Sequence, residues 1–178
     1  MTLDRTGNLL GALALVVADR TTDAVDEAAS SSASAAAALS AMLHFLDGPS
    51  VDLLRQVLGL TSSGTVRLVD RLAQAGLVRR GSGRDGRSTS VILTPAGRRA
   101  AQRIAAARAD VLNDSLSVLS AAERRHLEEL ISKVLAGLIR GPGAVRWLCR
   151  MCDTAACERE EGHCPVANAV RERGYLSP

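Results

Sequence analysis

Aromatic side chains are nearly absent from this 178-residue chain: Phe45, Trp147 and Tyr175 are the whole set. Any core must therefore be built from Leu, Val, Ile and a great deal of Ala. Alanine favours helix and lets helices approach closely, so a mainly helical protein is expected. Each alanine buries little area, and a dimer interface is expected to supply the apolar burial that small side chains do not. No run reaches the roughly 18 to 20 apolar residues that span a bilayer. The apolar stretch from Leu9 to Ala18 lacks the positive start of a secretion signal, because Asp4 cancels Arg5, and no clean small-residue cleavage site follows it. A cytoplasmic protein with no membrane partner is the expectation. Histidine is scarce too: His44, His126 and His163 lie in separate segments. With no Ser-His-Asp or Cys-His set in view, no enzyme is expected. His44 and His126 fall on predicted helices as packing or surface residues.

Lysine is also missing apart from Lys133, so the positive charge is almost all arginine. The net charge of +3 conceals an uneven distribution. Between Thr61 and Arg108, ten arginines (67, 71, 79, 80, 84, 87, 98, 99, 103 and 108) face only Asp70 and Asp85, a local +8 that leaves −5 for the remainder. A concentrated basic block in a chain of modest charge points to a polyanion. A membrane surface would call for Trp or Phe on a basic amphipathic helix, and single-stranded RNA for stacking aromatics; this region has neither. Double-stranded DNA, met by the planar arginine fork, is the partner that fits. A merely solvated charged face is the plainer alternative.

The periodicity predicts an amphipathic helix over residues 6–29, with Leu9, Leu10, Leu13, Val16, Val17 and Val25 on its apolar side. Ser32 or Ser34 caps a second helix running through Leu39, Met42, Leu43 and Leu46 to the stop at Asp47-Gly48-Pro49. A short helix from Val51 to Leu58 ends at Gly59. Thr61, Ser62 or Ser63 then caps a helix whose apolar residues are Val66, Leu68, Val69 and Leu72, while Arg67 and Arg71, four apart, share another face. Gly76 stops it. Leu77-Val78-Arg79-Arg80 reads as a strand, residues 81–88 as a glycine-rich loop, and Thr89 to Leu93 as the returning strand. Thr94-Pro95 opens a helix to about Leu119. Ser120 and Glu123 form a capping box before a last long helix. There Leu127, Leu130, Ile131, Val134, Leu135, Leu138 and Ile139 make a stripe wide enough to pack on both the first helix and a partner chain. It stops at Gly141-Pro142-Gly143.

Three helices followed by a two-stranded hairpin is the order of a winged helix-turn-helix. The run Leu60-Thr-Ser-Ser-Gly-Thr-Val-Arg-Leu-Val-Asp-Arg-Leu72, then Ala75-Gly-Leu-Val-Arg-Arg80, resembles the recognition helix and first wing strand of MarR-type transcriptional regulators. Asp85-Gly-Arg87, followed by Val91, Leu93-Thr94 and Pro95-Ala-Gly97, is similar to that family's wing signature. The resemblance covers about residues 6–140. It implies a mainly α, homodimeric protein: a DNA-binding core at about 34–95 on dimerisation helices at about 6–29 and 96–140. Residues 141–178 stand outside the common pattern as a cysteine-rich tail.

A helix fits the major groove, and residues in its N-terminal half reach base edges. The resemblance places Ser62, Ser63, Thr65 and Arg67 in that half, with Arg67 the candidate for guanine. Helix capping is the competing role for the hydroxyls. Arg71, one turn on, pairs with Asp70 or meets a phosphate. The resemblance also puts Arg87 into or beside the minor groove, with Asp85 holding it in position and Arg84 taking part at the tip.

All four cysteines fall in 16 residues as Cys149, Cys152, Cys157 and Cys164, spaced C-x2-C-x4-C-x6-C, with Pro165 after the last. In a cytoplasmic protein such a cluster suggests metal or redox chemistry rather than structural disulfides. Four thiolates suit an iron–sulfur cluster or a tetrahedral Zn2+ ion. Structural zinc more often uses two close cysteine pairs, and only one is present in the sequence, which favours the iron–sulfur cluster slightly; thiol oxidation is the third alternative. Arg146, Arg150 and Arg159 would stabilise thiolates, His163 is a solvent-facing loop residue, and Trp147 anchors the tail to the helical base. The expected function is a repressor on a pseudo-palindromic duplex, responsive to redox state or nitric oxide through the tail. Two alternatives stay open: a small-molecule-responsive MarR-type regulator with a structural zinc tail, and an iron–sulfur redox protein.

Overall fold

The computed structural model describes residues 3–29, 32–82, 89–141 and 143–175. The element order is α1 (Arg5–Ala29), α2 (Ala33–His44), α3 (Val51–Leu58), α4 (Ser62–Gln74), β1 (Val78–Ser82), β2 (Thr89–Leu93), α5 (Pro95–Leu116), α6 (Ala121–Gly137), α7 (Ala144–Leu148) and α8 (Pro165–Glu172). This is the mainly helical winged helix-turn-helix that the sequence predicts. α1 lies along α5, and α2 sits between α5 and the α3–α4 pair.

The alanine-rich sequence explains how α2 takes that central place. Every residue from Ala35 to Met42 is buried, because methyl side chains let neighbouring helices approach on all sides. Leu54 of α3, Leu68, Val69 and Leu72 of α4, Val78 and Val91 of the wing, and Ala100, Ala101 and Ile104 of α5 close around it. The capping chemistry holds as expected: Ser50, Thr61, Thr94 and Ser120 each accept a bond from a backbone N–H in the first turn of their helix. The Ser120–Glu123 capping box is complete. Ser32 flanks α2 without a side-chain cap bond.

The wing strands are antiparallel, with Val78 opposite Leu93 and Arg80 opposite Val91. The Val91 N–H also donates to the Pro49 carbonyl (2.8 Å), tying the wing to the segment before α3. At the base of the wing, Gly97 is compulsory: a Cβ there would stand 1.8 Å from the Leu77 carbonyl oxygen.

Several sequence expectations are corrected. α2 ends at His44 rather than running through Leu46, and α5 ends at Leu116 rather than Leu119. The wing strand begins at Val78 and extends to Ser82. Val66, expected among the apolar contacts of α4, is 43% exposed, because the helix turns Leu68, Val69 and Leu72 inward instead. The α6 stripe is open at Leu130, Ile131, Val134 and Leu138. Within the chain α6 packs chiefly on α8 and not on α1 as expected. Ile139 lies past the helix end and joins a second apolar cluster made by the C-terminal segment. Leu9, Leu10, Leu13, Leu15 and Val16 of α1 are exposed as well.

Candidate nucleic-acid interface and cysteine cluster

Packing fixes which way α4 faces. With Leu68, Val69 and Leu72 buried, Ser62, Ser63, Val66, Arg67 and Arg71 stand on the exposed side. Thr61 is the cap, accepting from the Gly64 N–H at 3.1 Å, which leaves Ser62 and Ser63 outside that role. Thr65 is different from the other expected contacts. It is fully buried, and its hydroxyl donates to the Thr61 carbonyl at 2.9 Å, so it braces the turn instead of facing outward. Asp70 pairs with Arg80 of β1 at 2.6 Å, across the α4–wing joint, and not with Arg71. Arg71 therefore keeps its guanidinium for another partner on the same face as Arg67. Arg84, Asp85 and Arg87 lie outside the described residues. Val66 was missed as a surface residue, because three-residue apolar spacing does not say which of four aliphatic side chains loses its place in the core.

The wing is aimed by Thr94. Its hydroxyl donates to the Gly76 carbonyl at 2.6 Å and accepts from the Gly97 N–H at 3.0 Å. One side chain thus links the turn after α4, the end of β2 and the start of α5.

The four cysteines belong to the second apolar cluster, made by the C-terminal segment. Cys149 and Cys164 are buried among Ile139, Val145, Val166 and Val170, and Cys152 and Cys157 pack against the same cluster. Cys149 ends α7 and Cys164 opens α8. Two turns fold the chain back between them, with Glu158 and Gly162 at positive φ and the His163 N–H donating to the Glu158 carbonyl at 3.0 Å. Hydrogen bonding to Cys152, then burial, pushes the Cys149 thiol far up. The Cys152 thiol falls to about 6, first through Cys149 and then through Arg108, Arg159 and Arg150. Burial and the neighbouring sulfurs raise Cys157 to about 11. Among the described residues, no three His, Cys, Asp or Glu side chains already stand together as a metal-holding group. Cysteine thiolates are the soft donors that zinc and iron–sulfur sites use.

The surroundings of the cysteines differ from expectation in two ways. Arg146 points away to Gln56 of α3, with Nη1 donating to Oε1 at 2.9 Å, and Arg108 of α5 takes its place near Cys152. Trp147 lies not on the helical base but beside Gly59 at the end of α3, with Arg150 stacked 4.7 Å from its ring centroid. No sequence signal links Arg108 to Cys152, since only the tertiary fold brings its charge to bear there. His163 is exposed, as expected, and pairs with Glu158 at 2.6 Å. No helix among the described residues is long and apolar enough to cross a membrane.

Residues 32–88 match the model of the MarR family. No curated protein matches the chain. The structure resembles MepR, a transcription regulator of the Staphylococcus aureus multidrug efflux pump MepA, at 16% identity and a TM-score of 0.65, covering 77% of this chain and 100% of that one. A MarR-family regulator from Silicibacter pomeroyi aligns at 27% identity and a TM-score of 0.55 over 71% of this chain and 88% of the other. CouR from Rhodococcus jostii RHA1, bound to p-coumaroyl-CoA, aligns at 20% identity and 0.58 over 74% and 92%. Residues 32–88 are thus similar to the MarR family, and the chain shares the winged helix-turn-helix fold of these structures.

Proposed function

We propose that the chain is a homodimeric repressor that reads a pseudo-palindromic DNA duplex with α4 in the major groove. The observation that carries this reading is the outward face of α4: Ser62, Ser63, Val66, Arg67 and Arg71 are exposed on a helix whose other side is locked into the core. Arg67 reads guanine, Val66 meets a thymine methyl, the two serines contact base edges or phosphates, and Arg71 holds the backbone. The wing residues Arg84, Asp85 and Arg87 enter this reading on the sequence resemblance. The open apolar faces of α1 and α6 support the homodimer, since exposed aliphatic stripes of this size mark interaction surfaces. Two copies place their α4 helices on half-sites about one helical turn apart. Redox or nitric-oxide response belongs in this reading to the cysteine segment. A small-molecule effector is the second reading, favoured by a groove of about 510 Å³ that Leu116, Leu127, Ile131 and Leu135 share with Cys157 and His163, and by the acyl-CoA seen on CouR.

Selection from a random duplex pool, followed by footprinting, tests the proposal. A two-fold-related motif with steeply salt-dependent binding is expected. Arg67→Ala should cost about 1 to 3 kcal/mol and relax the preference at one position per half-site, whereas Arg71→Ala should weaken all duplexes alike and lower the salt slope by about 1. Binding without sequence preference, or left unchanged by both substitutions, would overturn the reading.

A further inference from the structure

We propose that the C-terminal segment adds a DNA contact to that of α4, with Arg146, Trp147 and Arg150, in α7 and the turn after it, lying against the phosphate backbone of each half-site. This rests on the DNA-binding reading and extends it to residues outside the winged helix-turn-helix.

The position of α7 carries the inference. In a helix-turn-helix the second helix enters the major groove while the first crosses the sugar–phosphate backbone. α3 is that first helix, and α7 packs on it. Gly59 ends α3 in the left-handed conformation, at φ 64°, just before the Thr61 cap of α4. The Trp147 indole lies over this glycine, with Cδ1 and Nε1 each 3.8 Å from where a Cβ would stand. The ring is thus held beside the turn that leads into Ser62 and Ser63. It is nevertheless 50% exposed. α7 turns Val145 and Cys149 inward, which leaves Arg146 and Trp147 on its open side.

Charge selects the partner. From Leu130 to Cys152 the sequence has no Asp or Glu, yet Lys133, Arg140, Arg146 and Arg150 all fall there. The arginines donate to neutral oxygens: Arg140 Nη1 to the Gly137 carbonyl at 2.6 Å, Arg146 Nη1 to Gln56 Oε1 at 2.9 Å, and Arg150 Nη1 to the Trp147 carbonyl at 2.7 Å. Among the described residues, no carboxylate forms an ion pair with any of the three. The one acid of α3, Asp52, is already compensated, accepting from Arg55 Nε at 2.8 Å and Gln56 Nε2 at 2.7 Å. The Gln56 amide therefore donates to Asp52 and accepts from Arg146, so α3 orients the Arg146 fork. The exposed guanidinium keeps further N–H donors for a phosphate.

Arg150 stacks 4.7 Å from the Trp147 ring centroid, so the flat cation and the indole form one surface. Guanidinium groups for phosphate oxygens and an apolar ring for the sugar complement a nucleic-acid backbone, and such contacts position a protein without reading sequence. A membrane surface fits less well, because α7 has only five residues and buries its Val145 side in the protein.

Trp147 is the sole tryptophan, so its fluorescence reports this surface alone in the full wild-type chain. Acrylamide, a neutral quencher, should quench it readily in the unbound protein and far less once a selected duplex is bound. Arg146→Ala should weaken that duplex roughly two- to fivefold, as loss of an exposed charge contact does, and lower the salt slope by about 1. Arg146→Lys should restore the slope, because the charge returns. Ethylation interference should reveal a phosphate in each half-site whose modification weakens wild type but not Arg146→Ala. The quenching measurement needs no variant and decides the matter if Arg146→Ala does not fold. Sequence-specific binding with Trp147 quenched as before overturns the tail contact and leaves the α4 reading standing. Protection of Trp147 that follows protein concentration without duplex assigns the surface to a second copy of the chain. Protection by phosphatidylserine vesicles but not by duplex assigns it to a membrane, and either result overturns the proposal. A chain that shows no sequence preference toward a labelled duplex overturns the α4 reading itself.

Discussion

Replacing Thr94 by alanine isolates the joint on which the wing turns. The substitution removes the hydroxyl's acceptance from the Gly97 N–H at 3.0 Å and its donation, shared between the Gly76 carbonyl at 2.6 Å and the Leu77 carbonyl at 3.2 Å. Loss of a threonine N-cap costs about 1 kcal/mol. Loss of the second bond adds about 1 kcal/mol or less, because Gly76 is exposed and water reaches its carbonyl. Gly97 is buried, and the space beside it is filled by the Leu77 carbonyl, so its N–H gains no easy replacement partner. The expected sum is about 1 to 2 kcal/mol. For a chain of this length that corresponds to a fall in Tm of roughly 2 to 8 °C. Urea denaturation followed by circular dichroism, at fixed protein concentration because the stability of the proposed homodimer would depend on it, measures the difference. Thr94→Ser keeps the hydroxyl and should lose under about 0.5 kcal/mol, since only a methyl group is removed. Equal stability of Thr94→Ala and wild type, or an equal loss in Thr94→Ser, would refute the reasoning.

Two further predictions concern the helices of the base. Leu13→Glu in the exposed stripe of α1 should shift the chain toward monomer in sedimentation velocity with little loss of helical signal, because the residue is 56% exposed in the single chain and the proposed homodimer would bury it. The Glu123 carboxyl is held below the ordinary carboxylate range by its bonds from the Ser120 hydroxyl and backbone N–H. A carboxyl depressed in the folded state stabilises above its unfolded pKa and loses that contribution as pH falls through the folded value. Wild type should thus exceed Glu123→Gln in Tm at pH 7, with the gap closing toward pH 3, and a gap independent of pH would count against the capping-box account.

The order of elements was legible because it rests on local signals: caps at Thr61, Thr94 and Ser120, stops at Gly59 and Gly76, and alternation in the wing. Their physics operates within a few residues and does not depend on the rest of the chain. The arginines of α4 were legible for the same reason, since spacing alone puts Arg67 and Arg71 on one face. Local spacing did not settle which neighbours compete for the core. Val66 loses its place to Leu68, Val69 and Leu72 because α4 can present only one stripe to α2, and Thr65 gains a buried place where its hydroxyl is satisfied by the Thr61 carbonyl. The ion pair of Asp70 follows the same logic, as Arg80 comes across from the wing only once β1 has folded back.

For the tail, the sequence by itself determined that four soft donors lie close along the chain and that a proline follows the last. Only tertiary structure decided that Cys149 and Cys164 share one buried cluster, that the Thr154 hydroxyl donates to the His44 carbonyl, and that Trp147 lies beside Gly59 at the end of α3. Those contacts join residues more than 40 positions apart in two of the three cases. They form because a short, poorly filled segment must bury its few apolar residues against whichever surface the finished helices leave open.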